Sequence, residues 1–254
     1  KDILIPAHGI YWLIMLHAIG FPDEAMPQLL VHGWWNLGGA KMSKSAGNVI
    51  DPFVLADKYG AEALRYYLMS DIATGRDSDF DEDRLISCFN SDLANSVGNL
   101  VNRCLVMVRK YRKGRLSKPP AIPEKIFDID DDLNNFKISS VLGVAVLVAQ
   151  SANGLIEVTA PWKAAEAERQ GSEEAKKNLD YTLYNLIERI RIVAVLISPV
   201  LPKAAHGIFD QLNWKMELSG KEERFSLADA EWGKLPDGHV VGQPVPLFPR
   251  IETT

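Results

Sequence analysis

Residues 172–197 read SEEAKKNLDYTLYNLIERIRIVAVLI, an apolar repeat of helical period that runs until the Ser198-Pro199 pair stops it. Three further stretches share the period: Asn90 to Lys113, Asn134 to Val158 and Pro202 to Leu212, with Gly114 and Pro161 as breaks. Helices of these lengths predict an antiparallel helix bundle. On its C-terminal side lies a tail holding Pro236, Pro244, Pro246 and Pro249. This tail is expected to be irregular and to pack back on the body, because Val245, Leu247 and Phe248 would otherwise face water. On the N-terminal side, Asp51-Pro52 reads as a cap followed by a helix-favouring first position, and Gly60-Ala61-Glu62 opens another apolar-periodic run. A small connector of short helices is predicted there. The first fifty residues mix a helix-like apolar run (Gly9 to Ala18), a β-like run (Gln28 to His32) and a Gly38-Gly39 turn. Such αβ punctuation is too short for a complete α/β domain of about 100 residues. The chain opens at Lys1-Asp2 without a methionine, so it is expected to be a fragment that begins inside a domain. No internal repeat is visible, and the expected class is mostly α with an α/β remnant.

Composition narrows the functions. Of 254 residues, 47% are hydrophobic and 24% charged, which is globular rather than disordered or fibrous. The longest unbroken apolar runs, Val141 to Val148 and Val193 to Ile197, are shorter than the roughly 20 residues of a membrane span, so no membrane role is expected. Cys88 and Cys104 are the only cysteines and form no C-x-x-C pair, which excludes a disulfide scaffold or a cysteine zinc knuckle. With no signal-like opening, a cytoplasmic protein is expected. Net charge is −5, but the sign is patterned. Acids gather at Asp77, Asp79, Asp81, Glu82 and Asp83 and again at Asp128 to Asp132, whereas Arg103, Arg109, Lys110, Arg112, Lys113, Arg115 and Lys118 form a run without an acid. That run is either a solvated helix end or a patch facing phosphates.

The stretch richest in chemistry is Lys41-Met42-Ser43-Lys44-Ser45, continued by Ala46-Gly47-Asn48-Val49-Ile50-Asp51-Pro52. Two lysines three apart, among small residues and with glycines on each side, can set two ammonium groups around a phosphate chain while the loop stays mobile. A lone K-x-x-K would be no more than an exposed basic turn. The full twelve-residue string is far more specific.

On those residues the chain resembles the class I aminoacyl-tRNA synthetases, whose second signature is this loop. Methionine, leucine, isoleucine and valine enzymes share it, so other segments must separate them. Lys1-Asp2-Ile3-Leu4 with His8-Gly9-Ile10-Tyr11-Trp12, His32-Gly33-Trp34-Trp35, Gly60 to Leu68, Asp79-Phe80-Asp81, Asn90, Asp92 to Asn95 and Gly98 to Arg103 resemble the methionyl-tRNA synthetases. So do Ala160-Pro161-Trp162 and the ending Gly242 to Ile251, and the resemblance covers essentially the whole chain. A leucine, isoleucine or valine ligase is the nearest rival.

The resemblance implies a remnant of a Rossmann-type catalytic domain at residues 1–50, a stem-contact connector at 51–87 and an anticodon-binding helical bundle at 88–254. The implied reaction joins methionine to its tRNA, initiator or elongator, through methionyl-adenylate, using ATP with Mg2+ and no metal site in this stretch. Lys41 and Lys44 would stabilise charge on the departing pyrophosphate, with Ser43 at the phosphates, Asp2 at the ribose and Trp35 beside the adenine, unless that indole is a core aromatic. Ile3, His8 and Trp12 would line the methionine pocket, His8 and Trp12 sharing a helix face as an i, i+4 pair. Asn99 and Arg103, another i, i+4 pair, would read an unstacked anticodon base on which Trp162 stacks. The first signature of the class, His-Ile-Gly-His, is absent: His17-Ala18-Ile19-Gly20 is followed by Phe21. The chain is therefore expected to need a missing N-terminal catalytic half and to be inactive alone; the alternative is a stand-alone anticodon-binding module.

Overall fold

The computed structural model describes residues 3–120, 127–214 and 226–252. The fold is mostly helical with one small three-stranded sheet. At the N-terminal side, Leu4–Trp12 turns in wide π-type turns and passes into α1 (Leu13–Ala18); no residue of either is buried. The expected strand at Gln28 to His32 is instead irregular chain outside the sheet, and pairing starts three residues later. There β1 (Trp35–Leu37) and β2 (Ala40–Lys41) form a hairpin, joined by Gly38 and Gly39 at φ 60° and 76°. Two left-handed residues in succession are what a tight hairpin turn requires. Next come α2 (Pro52–Tyr59), capped by Asp51, and α3 (Ala61–Ser70). Strand β3 (Ser78–Asp79) then lies parallel to β1, giving the order β2-β1-β3. Gly33 fixes where this crossing occurs, since a Cβ there would sit 1.8 Å from the Arg76 carbonyl oxygen.

Asp81 caps α4 (Glu82–Cys88), its carboxylate accepting from the Arg84 amide at 3.1 Å. Helical turns continue through a π-type stretch, Phe89–Gly98, into α5 (Asn99–Arg112). The helix expected from Asn90 thus begins eight residues earlier and crosses the connector boundary placed at 87. The helix expected over Asn134 to Val158 is α7 (Ile138–Thr159), which starts four residues later because Phe136 takes φ 56°; a separate short helix, α6 (Asp130–Asn134), ends just before that bend. Pro161 does not merely end α7. With Ala160 at φ 42° it opens α8 (Pro161–Arg169), a helix the periodicity did not announce. α9 (Glu173–Ile197), capped by Ser172, and α10 (Pro202–Leu212) fall where the sequence put them.

The main core gathers α5, α7, α9 and α10, with Leu105, Ala149, Leu186, Ile190 and Ile208 all fully buried. A smaller core of Leu55, Leu64, Tyr67, Leu85 and Ile86 lies under the sheet. The stretch Ile138–Arg169 is, by length and composition alone, apolar enough to cross a bilayer, although its unbroken apolar runs are short. Its apolar face is used internally, where Leu142, Ala145, Ala149, Ala152 and Ile156 are buried as α7 packs against α9. The tail does pack back: Phe248 meets Phe89 edge-on at 6.2 Å, and the Asn90 side chain exchanges two 2.9 Å hydrogen bonds with the Ile251 backbone. Val245, however, stays exposed. Beneath the tail, the fully buried Glu188 and Arg191 pair at 2.6 Å, and the Glu188 carboxylate also accepts from the Gly233 and Leu235 amides.

Candidate functional site

The lysine loop leaves the sheet at Lys41, the last residue of β2. Ser43 caps a single 3-10 turn, Lys44–Ala46, its hydroxyl accepting from the Ala46 amide at 3.2 Å, and Gly47 reverses the chain at φ 66°. Asn48 then reaches back across the loop. Its Oδ1 accepts from the Ser43 amide at 2.9 Å and its Nδ2 donates to the Lys41 carbonyl at 3.2 Å. Lys41 holds its ammonium 4.5 Å from the centre of the Trp34 ring, a cation–π contact, while Lys44 projects from the exposed turn. Ser43 and Ser45 hydroxyls lie 3.3 Å apart. Lys41 and Lys44 thus flank a hydroxyl-lined turn, and two ammonium groups beside hydroxyls suit an anion.

The acids of the 77–83 cluster support this hairpin from below. Asp79 accepts from the Gly39 amide at 2.7 Å and Asp77 from the Trp34 amide at 2.8 Å. Sequence reading registered them only as charge. Trp35 packs against Tyr67 at 5.6 Å and Phe80 at 6.3 Å and is half-buried, so its ring is part of the aromatic layer under the loop. Further below, Glu82 ties α4 to α2 through Lys58 at 2.7 Å and through the Tyr59 hydroxyl. The Lys58 and Tyr59 hydrogen bonds hold the Glu82 carboxyl below the usual carboxylate range.

On the N-terminal helical stretch, His8 and Trp12 do share a face, with ring centres 5.9 Å apart in an edge-on arrangement. The His8 amide donates to the Ile3 carbonyl at 2.8 Å, which brings the third expected pocket residue alongside. All of this lies on a stretch with no buried residue. Asp2 lies outside the described residues.

Asn99 and Arg103 line one shallow cleft of about 340 Å³ between α5 and α7, together with Asn95, Gln150, Asn153 and Glu157. Arg103 is paired with Glu157 at 2.6 Å, and Asn153 donates to the Ser96 carbonyl at 3.0 Å while its own buried Oδ1 has no partner. These facing residues on α7 escaped sequence reading, because nothing local links them to α5. Trp162 stands in the first turn of α8, with 42% of its surface exposed, just past the bend that follows Glu157.

The basic run is partly tied to the body, while Lys110, Lys113, Arg115 and Lys118 are exposed. Arg112 binds Glu168 at 2.9 Å and also Asp180; burial would lower its pKa, but these two carboxylates outweigh burial and raise it. Arg109 and Arg115 donate to the Gly242 and Gly238 carbonyls, and Lys118 to that of Gly233 at 2.7 Å, so the run fastens the tail.

The family model described as tRNA synthetases class I (M) matches residues 1–105. A methionine–tRNA ligase of Thermosynechococcus vestitus is 36% identical over 265 residues, covering 99% of this chain and 48% of the relative. One from Clostridium tetani is 39% identical and covers 99% of this chain and 39% of the relative. Among solved structures, Mycobacterium tuberculosis methionyl-tRNA synthetase in complex with methionyl-adenylate superposes with a TM-score of 0.78 at 30% identity, over 98% of this chain and 49% of that one. Its apo form gives 0.75 at 26% identity, over 99% and 51%. The chain spans about half the length of the first of these relatives. Over residues 1–105 the chain matches the class I (M) tRNA synthetases, and along nearly its whole length it is similar to about half of a methionine–tRNA ligase.

Proposed function

We propose that the protein to which this chain belongs is a methionine–tRNA ligase, which activates methionine with ATP and transfers it to tRNA, initiator or elongator, in the cytoplasm. The observation that carries the reading is the Lys41 to Asn48 loop, with two ammonium groups on a closed turn beside the sheet. In this reading residues 1–50 are the end of a Rossmann-type catalytic domain, 51–87 the connector and 88–254 the anticodon-binding bundle. As methionine attacks the α-phosphate, charge gathers on the departing pyrophosphate, and Lys41 and Lys44 stabilise it there, each contributing about 3 kcal/mol. Ser43 steadies the turn and offers a hydroxyl to phosphate. Mg2+ arrives with ATP as part of the substrate complex. Ile3, His8 and Trp12 contact methionine, Asp2 the nucleoside, with Trp35 the aromatic backing beneath the loop, and Asn99, Arg103 and Trp162 the anticodon.

A stand-alone anticodon module is the weaker reading. Ile5, Ile14, Met15 and Ile19, all exposed along the N-terminal helical stretch, favour a chain that works against a further catalytic half. The test is methionine-dependent ATP–pyrophosphate exchange, measured with this chain alone and with the chain joined to an N-terminal half carrying His-Ile-Gly-His. Exchange only in the joined form is expected. Absence of exchange in the joined form, with tRNA binding intact, would leave the module reading.

A further inference from the structure

We propose that Asn48 is a positioning residue for the reaction above, acting as the staple that sets the spacing between Lys41 and Lys44; the proposal rests on that functional reading. The turn that carries Lys44 has little else to hold it. It is one 3-10 turn on the surface, closed by the Ser43 hydroxyl and reversed at Gly47, and none of its residues is buried. A single amide side chain supplies the remaining closure, and it does so at both ends of the motif. Asn48 Oδ1 takes the Ser43 amide, the residue before Lys44, and Nδ2 gives to the carbonyl of Lys41 itself. The backbone atoms that aim the two lysines are thereby bridged through one rigid planar group, whose donor and acceptor are fixed relative to each other. Gly47 at φ 66° is what turns Asn48 inward to make the bridge. Lys41 and Lys44 can then meet a phosphate chain with a spacing already set, rather than ordering a floppy loop in the transition state.

Only an amide of this length does both jobs. Asn48→Asp keeps an acceptor for the Ser43 amide but faces the Lys41 carbonyl with a second acceptor, and Asn48→Ala removes both bonds. The experiment uses the whole enzyme and reads two quantities on each variant: exchange of the Ser43 amide hydrogen by mass spectrometry, and the steady-state constants of ATP–pyrophosphate exchange. For Asn48→Ala we expect Ser43 exchange to quicken about tenfold, kcat to fall about tenfold and KM for methionine to stay within twofold, as for loss of two hydrogen bonds of ordinary net strength. Asn48→Asp should slow catalysis while leaving Ser43 partly protected. Unchanged Ser43 exchange overturns the staple. Faster Ser43 exchange with unaltered kcat overturns the positioning role, as does a parallel loss of kcat, methionine KM and melting temperature. Failure of the functional reading shows differently, as no exchange activity in the unsubstituted enzyme.

Discussion

Lys41 rests its ammonium over the Trp34 ring while Lys44 projects from an exposed turn, so the second lysine has less to give up when it meets an anion. Lys44→Ala is accordingly expected to lower the rate of adenylate formation by about a hundredfold while methionine binding changes little, since its charge is used as pyrophosphate departs. Pre-steady-state adenylate formation and equilibrium methionine binding check this; equal losses would make the lysine a ground-state binder. Trp162 gives a second case at this scale. Its ring is 42% exposed in the first turn of α8. Trp162→Ala should therefore weaken tRNA binding by about 1–3 kcal/mol and leave the melting temperature almost unmoved, since no core cavity is created. A large fall in melting temperature with unchanged tRNA affinity would return Trp162 to a packing role. Residues that act through near neighbours were legible: His8 and Trp12, four apart, do meet. Glu157 was not, because its partner Arg103 is 54 positions away and only the packing of α5 on α7 introduces them. Asn48 escaped for another reason. It lies in the quoted string, but its role depends on Gly47 turning the chain back, and an asparagine in a loop announces no partner.

Helices whose ends carry chemical punctuation were read closely, and those whose ends depend on backbone conformation were not. Ser172 and Pro202 marked α9 and α10. Phe136 and Ala160, both at positive φ, set the start of α7 and its junction with α8 without any glycine to signal it. The strand slipped for a related reason: β1 forms where β3 can pair with it, and Gly33 rather than apolar alternation decides that place. Ala160 yields a prediction. An alanine held at φ 42° carries strain that glycine lacks, so Ala160→Gly should stabilise the fold by about 1 kcal/mol, read as a rise in the denaturant midpoint. A loss of stability would mean that freedom gained by the unfolded chain outweighs that strain. The tie between α2 and α4 should respond to acid. Glu82 titrates below its unfolded value, so its contribution is complete above about pH 4.3 and disappears as pH falls through the depressed value. Glu82→Gln should flatten that acid limb of the stability profile, which thermal melts between neutral and acid pH would reveal.

For the molecule as a whole, the sequence disclosed a helical body and a returning tail but not what fastens them. The fasteners are polar and long-range. Glu188 and Arg191, fully buried on α9, hold the 229–235 segment, and the basic run holds 233–242. Glu188→Ala would leave the Arg191 guanidinium buried without its carboxylate, at an expected cost of about 3–5 kcal/mol. Replacing both residues with leucine and methionine should cost clearly less, and urea unfolding of the two variants compares them. If the double variant is the worse, the pair contributes more than mutual neutralisation. The Asn90 to Ile251 clasp joins residues 161 positions apart. At a synthesis rate of about 5–20 residues per second, Asn90 waits on the order of 8 to 30 seconds on the ribosome before its partner is made. Throughout that interval Phe89 lacks the Phe248 ring that covers it, so the nascent chain presents a sticky helical face whose exposure is timed by translation speed.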